Sequence, residues 1–298
     1  MGGQVLTSSD ARRILLFCHF VGVASVAPVA RAAEPVEASV PPPRAQKSDL
    51  PQIDVLSFHR SNYFISGFNK TTQAKFQFSA KYDLWPSAGR HTVYLAYTQK
   101  SLWDVYDSSA PFRESDYAPE LFYAHYHADD REQAPPSCGL FSEQLGVEHE
   151  SNGERTDTSR SWNRVSASAR LSCGGHPWYG YLDLRVWYPF LLHENAGIVH
   201  TQGYGELAVS AGVDEPDLHM NGVVSVALRK GTARSLRKGS LTLDARWRPT
   251  YQNLLGTAWR FAPFVWFQLF TGYGETLGTF DQATTSARLG LGLTDRAR

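Results

Sequence analysis

Residues 145–171 read Leu-Gly-Val-Glu-His-Glu-Ser-Asn-Gly-Glu-Arg-Thr-Asp-Thr-Ser-Arg-Ser-Trp-Asn-Arg-Val-Ser-Ala-Ser-Ala-Arg-Leu. Side chains alternate across an extended strand, so Leu145, Val147, His149 and Ser151 share one face while Glu148, Glu150 and Asn152 take the other. Beyond the connection, Val165, Ala167, Ala169 and Leu171 run in phase with Asn163, opposed by Trp162, Arg164, Ser166, Ser168 and Arg170. Two alternating runs around a polar segment containing Gly153 predict an antiparallel hairpin. If 149 faces 163, the apolar face ends in an imidazole, a hydroxyl and an amide. A serine becomes an effective nucleophile when an imidazole takes its proton, and the imidazole's other nitrogen needs an acceptor to fix its tautomer. Ser151, His149 and Asn163 are candidates for these three roles. A strand end with hydrogen-bonding side chains is the plainer alternative, but polar groups closing an apolar face call for a reason.

The same alternation extends in both directions. Phe76, Phe78, Ala80, Tyr82 and Leu84 oppose Lys75, Gln77, Ser79, Lys81 and Asp83, and Val93, Leu95 and Tyr97 oppose Thr92, Tyr94 and Ala96. Similar segments lie at 178–188, 207–213, 241–247 and 289–293. Segments of about ten residues separated by turn signals are how a transmembrane barrel is written. The 14 Tyr, 16 Phe and 8 Trp, without long apolar runs, fit the aromatic girdles of such a barrel. We therefore expect an all-β, antiparallel transmembrane β-barrel, the alternative being a soluble sandwich with a charged outer face. No segment after the N-terminal region offers the roughly twenty apolar residues of a spanning helix. Short turns are expected near 86–90, 130–138 and 173–177 and longer connections near 106–116, 151–160 and 190–201. Outer-membrane barrels keep their longer loops outside, so the 149–163 hairpin is expected to open outward.

The ends differ in character. Arg12 and Arg13 precede an apolar run from Ile14 to Ala30, and Ala30-Arg31-Ala32 resembles a small-x-small processing site. Residues 1–33 read as a secretory signal peptide rather than a membrane anchor. Residues 34–54 form a Pro-rich leader with Pro41, Pro42 and Pro43, and 55–298 form the barrel domain. Lys plus Arg and Asp plus Glu are 29 each, a formal net charge of zero, so nothing points to nucleic acid.

Two further features invite specific expectations. Pairing 149 with 163 brings Cys138 and Cys173 within one residue of register, which predicts a disulfide in an exported protein. Two unrelated thiols are the alternative, since a bulge would shift the register. Gln99 continues the apolar face of Val93, Leu95 and Tyr97. An amide facing lipid needs a hydrogen-bond partner, either another subunit or water in the headgroup region.

The runs His149-Glu150-Ser151-Asn152-Gly153 and Ser159-Arg160-Ser161-Trp162-Asn163-Arg164 closely resemble the outer membrane phospholipase A family of Gram-negative bacteria. Asn62-Tyr63, Tyr97-Thr98-Gln99-Lys100-Ser101 with Trp103, Pro111-Phe112-Arg113-Glu114 and Gly272-Tyr273-Gly274-Glu275 resemble its blocks in the same order. The resemblance covers roughly residues 55–294. It implies about twelve strands, an outer-membrane location, and hydrolysis of phospholipid acyl esters at both acyl positions, lysophospholipids included, with Ser151 as nucleophile, His149 as base and Asn163 as its orienter. It further implies Ca2+ held by the Ser159 hydroxyl and by backbone carbonyls of Glu154 and of Ser109 from a partner subunit, with the Gly153 amide facing the oxyanion. An active homodimer with Gln99 in its interface is also implied. The sequence departs from the family pattern at Glu154, where an arginine is expected, at Thr279-Phe280-Asp281, and at a chain end lacking a terminal aromatic residue. A catalytically silent barrel, acting as a channel or structural protein, is the competing reading, and a soluble secreted esterase is a third.

Overall fold

The computed structural model describes residues 55–293 apart from 68–72, 86–89, 128–137, 193–194, 196, 216–219, 236–237 and 249–262. The expected signal peptide, the leader and the chain end lie outside the described residues. The strands are β1 (Leu56–Ser57), β2 (Asn62–Ser66), β3 (Ala74–Asp83), β4 (His91–Trp103), β5 (Phe112–Tyr126), β6 (Gly139–Ser151) and β7 (Ser161–Gly175). They continue with β8 (Trp178–Phe190), β9 (Gly205–Glu215), β10 (Met220–Lys230), β11 (Gly239–Trp247), β12 (Phe264–Tyr273) and β13 (Ala283–Leu293). Strands β2 to β13 pair antiparallel with their sequence neighbours, and β13 returns to β2, so twelve strands close one barrel. A short helix, α1 (Ile198–Gln202), lies in the β8–β9 connection.

The first barrel strand is in two pieces. Leu56 of β1 faces Tyr82 of β3, whereas Tyr63 of β2 faces Gln77, with residues 58–61 breaking the run. Side chains take over the lost ladder bonds: Asn62 Nδ2 donates to the Ser79 carbonyl at 3.0 Å, its Oδ1 accepts from Ser79 N at 2.6 Å, and Gln77 Nε2 donates to the Ser61 carbonyl at 2.8 Å. The break sends His59 and Arg60 toward Glu120 and Glu148, each reaching its carboxylate across the barrel interior.

Inside and outside follow the alternation. Leu145 and Val147 are 58% and 47% exposed on the outer surface, while Glu148 and Arg164 of the same hairpin are 3% and 7% exposed inside. Glu148 meets Arg164 at 2.7 Å and Arg60 and Arg185 at 2.9 Å, and both Arg60 and Arg185 also reach Glu120 at 3.2 Å. Buried charges persist only when paired in this way. The interior is thus filled by its own ionic side chains, as expected for a barrel of this size. Near the outer end, Trp162 and Trp187 pack edge-to-face at 6.4 Å and join Ile198 of α1 and Leu277 in an apolar cluster.

One expectation needs correction. Residues 106–116 read as a loop, but β5 begins at Phe112 and runs through Pro119. A proline within an apparent strand argues against a strand, and here it costs the ladder some bonds: β5–β6 partners pass from Tyr117–Ser151 to Glu120–Glu148 with none between. The short turn expected near 173–177 is present at 176–177, while those expected near 86–90 and 130–138 lie almost wholly outside the described residues. Cys138 and Cys173 are disulfide-bonded, with S–S 2.07 Å. The register shift between Leu140 and Ser142 absorbs the one-residue offset, so that Gly139 faces Ser172 beside the bond.

Candidate active site

The site is built on the outward face where β6 and β7 meet the outer connection. His149 lies directly opposite Asn163, and Ser151 opposite Ser161. His149 Nδ1 is 3.0 Å from Asn163 Oδ1. With the amide oxygen as acceptor, Nδ1 carries the proton and Nε2 is left as the basic nitrogen. Ser151 lies two residues along the same face, and among the described residues no hydrogen bond joins its hydroxyl to the imidazole. Instead Ser151 Oγ accepts from the Gly153 amide at 3.2 Å. Pro119 falls opposite His149 by the β5–β6 register, where its missing N–H leaves the neighbouring strand without a ladder bond.

Gly153 adopts φ +68°, and a Cβ there would lie 2.9 Å from the Tyr117 ring. Only glycine presents its amide to Ser151 in this conformation. The connection it opens, residues 152–160, is clamped by Asn152, which is 6% exposed. Its Oδ1 accepts from Arg160 N at 2.9 Å and Glu154 N at 3.3 Å, and its Nδ2 donates to the Thr158 carbonyl at 2.9 Å. Sequence reasoning placed Asn152 on the inner face and gave it no role. The Asn-Gly pair is a turn signal that identifies such a clamp.

Support reaches Asn163 from below. Trp162 Nε1 donates to Glu150 Oε2 at 2.9 Å and Arg164 Nη2 to the same oxygen at 2.8 Å, with the guanidinium 4.1 Å from the Trp162 ring centroid. Asn195, 2% exposed, donates to the Ser161 carbonyl at 2.5 Å. These partners are 12 to 34 residues distant along the chain, beyond the reach of a local pattern.

The other expected site residues lie in the outer connections. Ser159 is in the 152–160 segment, after a single 3₁₀ turn (Thr156–Thr158), and its carbonyl accepts from Arg160 Nη1 at 2.7 Å. Glu154 is exposed in the same segment, and Ser109 is exposed in the β4–β5 connection. These two connections lie at the same end of the barrel but come from different hairpins. Gln99 faces outward on β4 between Phe78 and Tyr117 in the sheet, and it has partners within its own strand: Tyr97 Oη donates to Oε1 at 3.2 Å and Nε2 donates to Ser101 Oγ at 3.3 Å. The 152–160 segment offers hydroxyl, carbonyl and carboxylate oxygens, with Glu154 and Asp157 exposed in it. That set fits a hard cation such as calcium.

Residues 48–294 match the phospholipase A1 family. A phospholipase A1 of Klebsiella pneumoniae is 30% identical over 231 residues, which cover 75% of this chain and 71% of that protein. The phospholipase A1 of Escherichia coli K12 is 31% identical over 228 residues, covering 75% and 70%. Among solved structures, outer membrane phospholipase A from Escherichia coli superposes with a TM-score of 0.65 at 26% identity, covering 84% of this chain and 95% of that one. The outer membrane phospholipase of Salmonella typhi, a dimer with bound calcium, gives 0.65 at 25% identity, covering 83% and 95%. A closed barrel, an outward polar cluster on one hairpin and a family match over most of its length together place this chain in the phospholipase A1 family of outer-membrane ester hydrolases.

Proposed function

We propose that this protein hydrolyses phospholipid acyl esters with Ser151, His149 and Asn163 as its catalytic groups. Ser151 Oγ attacks the ester carbonyl while His149 Nε2 takes its proton. The same nitrogen returns the proton to the leaving alcohol, and then activates the water that frees the fatty acid from Ser151. Asn163 holds the tautomer that keeps Nε2 available. The Gly153 amide, already aimed at Ser151, donates to the oxygen that becomes negative during attack. The observation that carries this reading is the His149–Asn163 hydrogen bond on the same outward face as Ser151 and the Gly153 amide.

Asn163 carries no charge, so it orients the imidazolium without balancing it. Calcium, when bound through Ser159 and the carbonyls of Glu154 and of Ser109 of the partner subunit, supplies positive charge near the developing oxyanion. A ligand set drawn from two subunits makes activity depend on dimerisation, with Gln99 at the contact. Substrate arrives laterally from the lipid phase, because the reactive face is the membrane face and the interior is filled. Both acyl positions and lysophospholipids are within reach of a site open on that side.

The test is fatty-acid release from a defined phospholipid by detergent-refolded protein, in calcium and in chelator, beside Ser151→Ala. Calcium-dependent release that disappears in the variant is expected. Release that persists in Ser151→Ala sinks the assignment of the nucleophile. Well-folded dimer without any release points to a catalytically silent barrel.

A further inference from the structure

A second set of polar side chains interrupts the outer surface at the closed, periplasmic end, far along the strands from Ser151. His91 of β4 lies opposite His125 of β5, and His125 lies opposite Glu143 of β6, so the three form a row across adjacent strands. His127 is two residues beyond His125 and falls on the same face. One ligand atom from each of His125, His127 and Glu143 lies within 4.8 Å of the others.

The spacing is informative. His127 Nε2 is 3.5 Å from one Glu143 oxygen and His125 Nδ1 is 3.8 Å from the other. These separations are too long for good hydrogen bonds, and His127 Nε2 is buried with no hydrogen-bond partner. With one ligand atom of each residue within 4.8 Å of the others, a small side-chain shift brings them to the edge, about 3.3 Å, of a tetrahedron drawn at zinc–nitrogen and zinc–oxygen bond lengths. The His91 ring stacks on His125 with centroids 4.2 Å apart and planes 9° apart, and Nδ1 of His91 is hydrogen-bonded to the Tyr123 hydroxyl. That stack restrains the plane of the His125 ring.

We propose that His125, His127 and Glu143 bind one divalent cation of the zinc class at the periplasmic rim, with water in the remaining position. Two imidazoles and a carboxylate suit zinc, whereas calcium prefers oxygen donors alone. The bound ion would join the end of β5 to the start of β6, alongside the Cys138–Cys173 bond that joins β6 to β7. It would act as a structural latch, separate from ester hydrolysis.

The experiment uses untagged full-length protein refolded in detergent and saturated with calcium. Zn2+ is titrated by calorimetry, and Co2+ by visible absorption, which reports four-coordinate geometry. We expect one zinc per protomer, a four-coordinate cobalt spectrum, and binding weakened more than about tenfold in H125A/H127A. The milder Glu143→Gln guards against misfolding of the double variant and should weaken binding in the same direction. Both variants should keep phospholipid hydrolysis, and His149→Ala should keep the zinc. Absence of stoichiometric binding, unchanged binding in the folded rim variants, or loss of zinc in His149→Ala would overturn the proposal.

Discussion

The inward and outward faces of the hairpin β6–β7 solve opposite problems with the same two strands. Inward, Glu148 and Arg164 sit in a network that draws Arg60, Arg185 and Glu120 from three other segments of the chain. Outward, at the outer end of the hairpin, His149, Ser151 and Asn163 break an apolar surface, and their partners are each other and the adjoining turn. The inner face is fixed by many long-range ion pairs, the outer by a few short-range hydrogen bonds. Loss of an inner group should therefore be felt in stability, and loss of an outer one in rate.

The largest effect should come from the outer face. Ser151→Ala is expected to lower hydrolysis by at least about 10⁴-fold while leaving the urea unfolding midpoint unchanged. A variant retaining a tenth of the activity would contradict the assignment, and one that lost its folded barrel would blur the division between the faces. On the inner face, Glu148→Gln leaves three guanidiniums short of their shared carboxylate. Breaking a buried pair in this way costs about 3–5 kcal/mol, read as a lower urea midpoint, with hydrolysis in buffer falling less than about tenfold. An unchanged midpoint would mean that the network is dispensable.

How much of each face can be read in the sequence follows from the reach of its interactions. The outward set is legible because period-two alternation and the pairing of His149 with Asn163 are local, only 14 residues apart. Its support by Asn195 is not, since that contact spans 34 residues. The inner network is legible as composition, polar residues alternating inward, but not as pairings, because Arg60 and Glu148 are 88 residues apart. The broken first strand was hidden because Asn62 and Gln77 side chains stand in for backbone. The disulfide lay within reach because register extrapolates along a hairpin, the bulge near Phe141 supplying the last residue.

A carboxylate at the outer rim extends the comparison to pH. Glu275, in the β12–β13 connection, is 5% exposed and meets Lys75 at 3.4 Å and Arg288 more closely. Burial pushes its carboxyl up, but Lys75 and Arg288 outweigh that and bring it down to about 2, from an ordinary value of 4.5. A depressed folded-state value contributes stability that is fully present above pH 4.5 and is lost as pH falls toward 2. The contribution is about 3 kcal/mol by linkage. It should appear as a difference between wild type and Glu275→Gln in urea unfolding that shrinks across that window. A difference that stays constant with pH would show that the rim carboxylate is held by packing rather than charge.

The finest test concerns Asn163, which belongs to both faces in a sense: it orients His149 outside, and its strand neighbours Trp162 and Arg164 grip Glu150 inside. Asn163→Ala removes the acceptor on His149 Nδ1 and frees the imidazole to turn. Misplacing a catalytic group slightly costs up to about 100-fold, so kcat should fall about 10- to 100-fold with KM little changed. Asn163→Asp should restore the rate, because a carboxylate both fixes the same tautomer and balances the imidazolium that forms during attack. If Asp rescues and Ala does not, the side chain acts through His149. If both lose activity alongside the unfolding midpoint, Asn163 is part of the scaffold, and the boundary between reactive face and ionic interior lies one residue farther out.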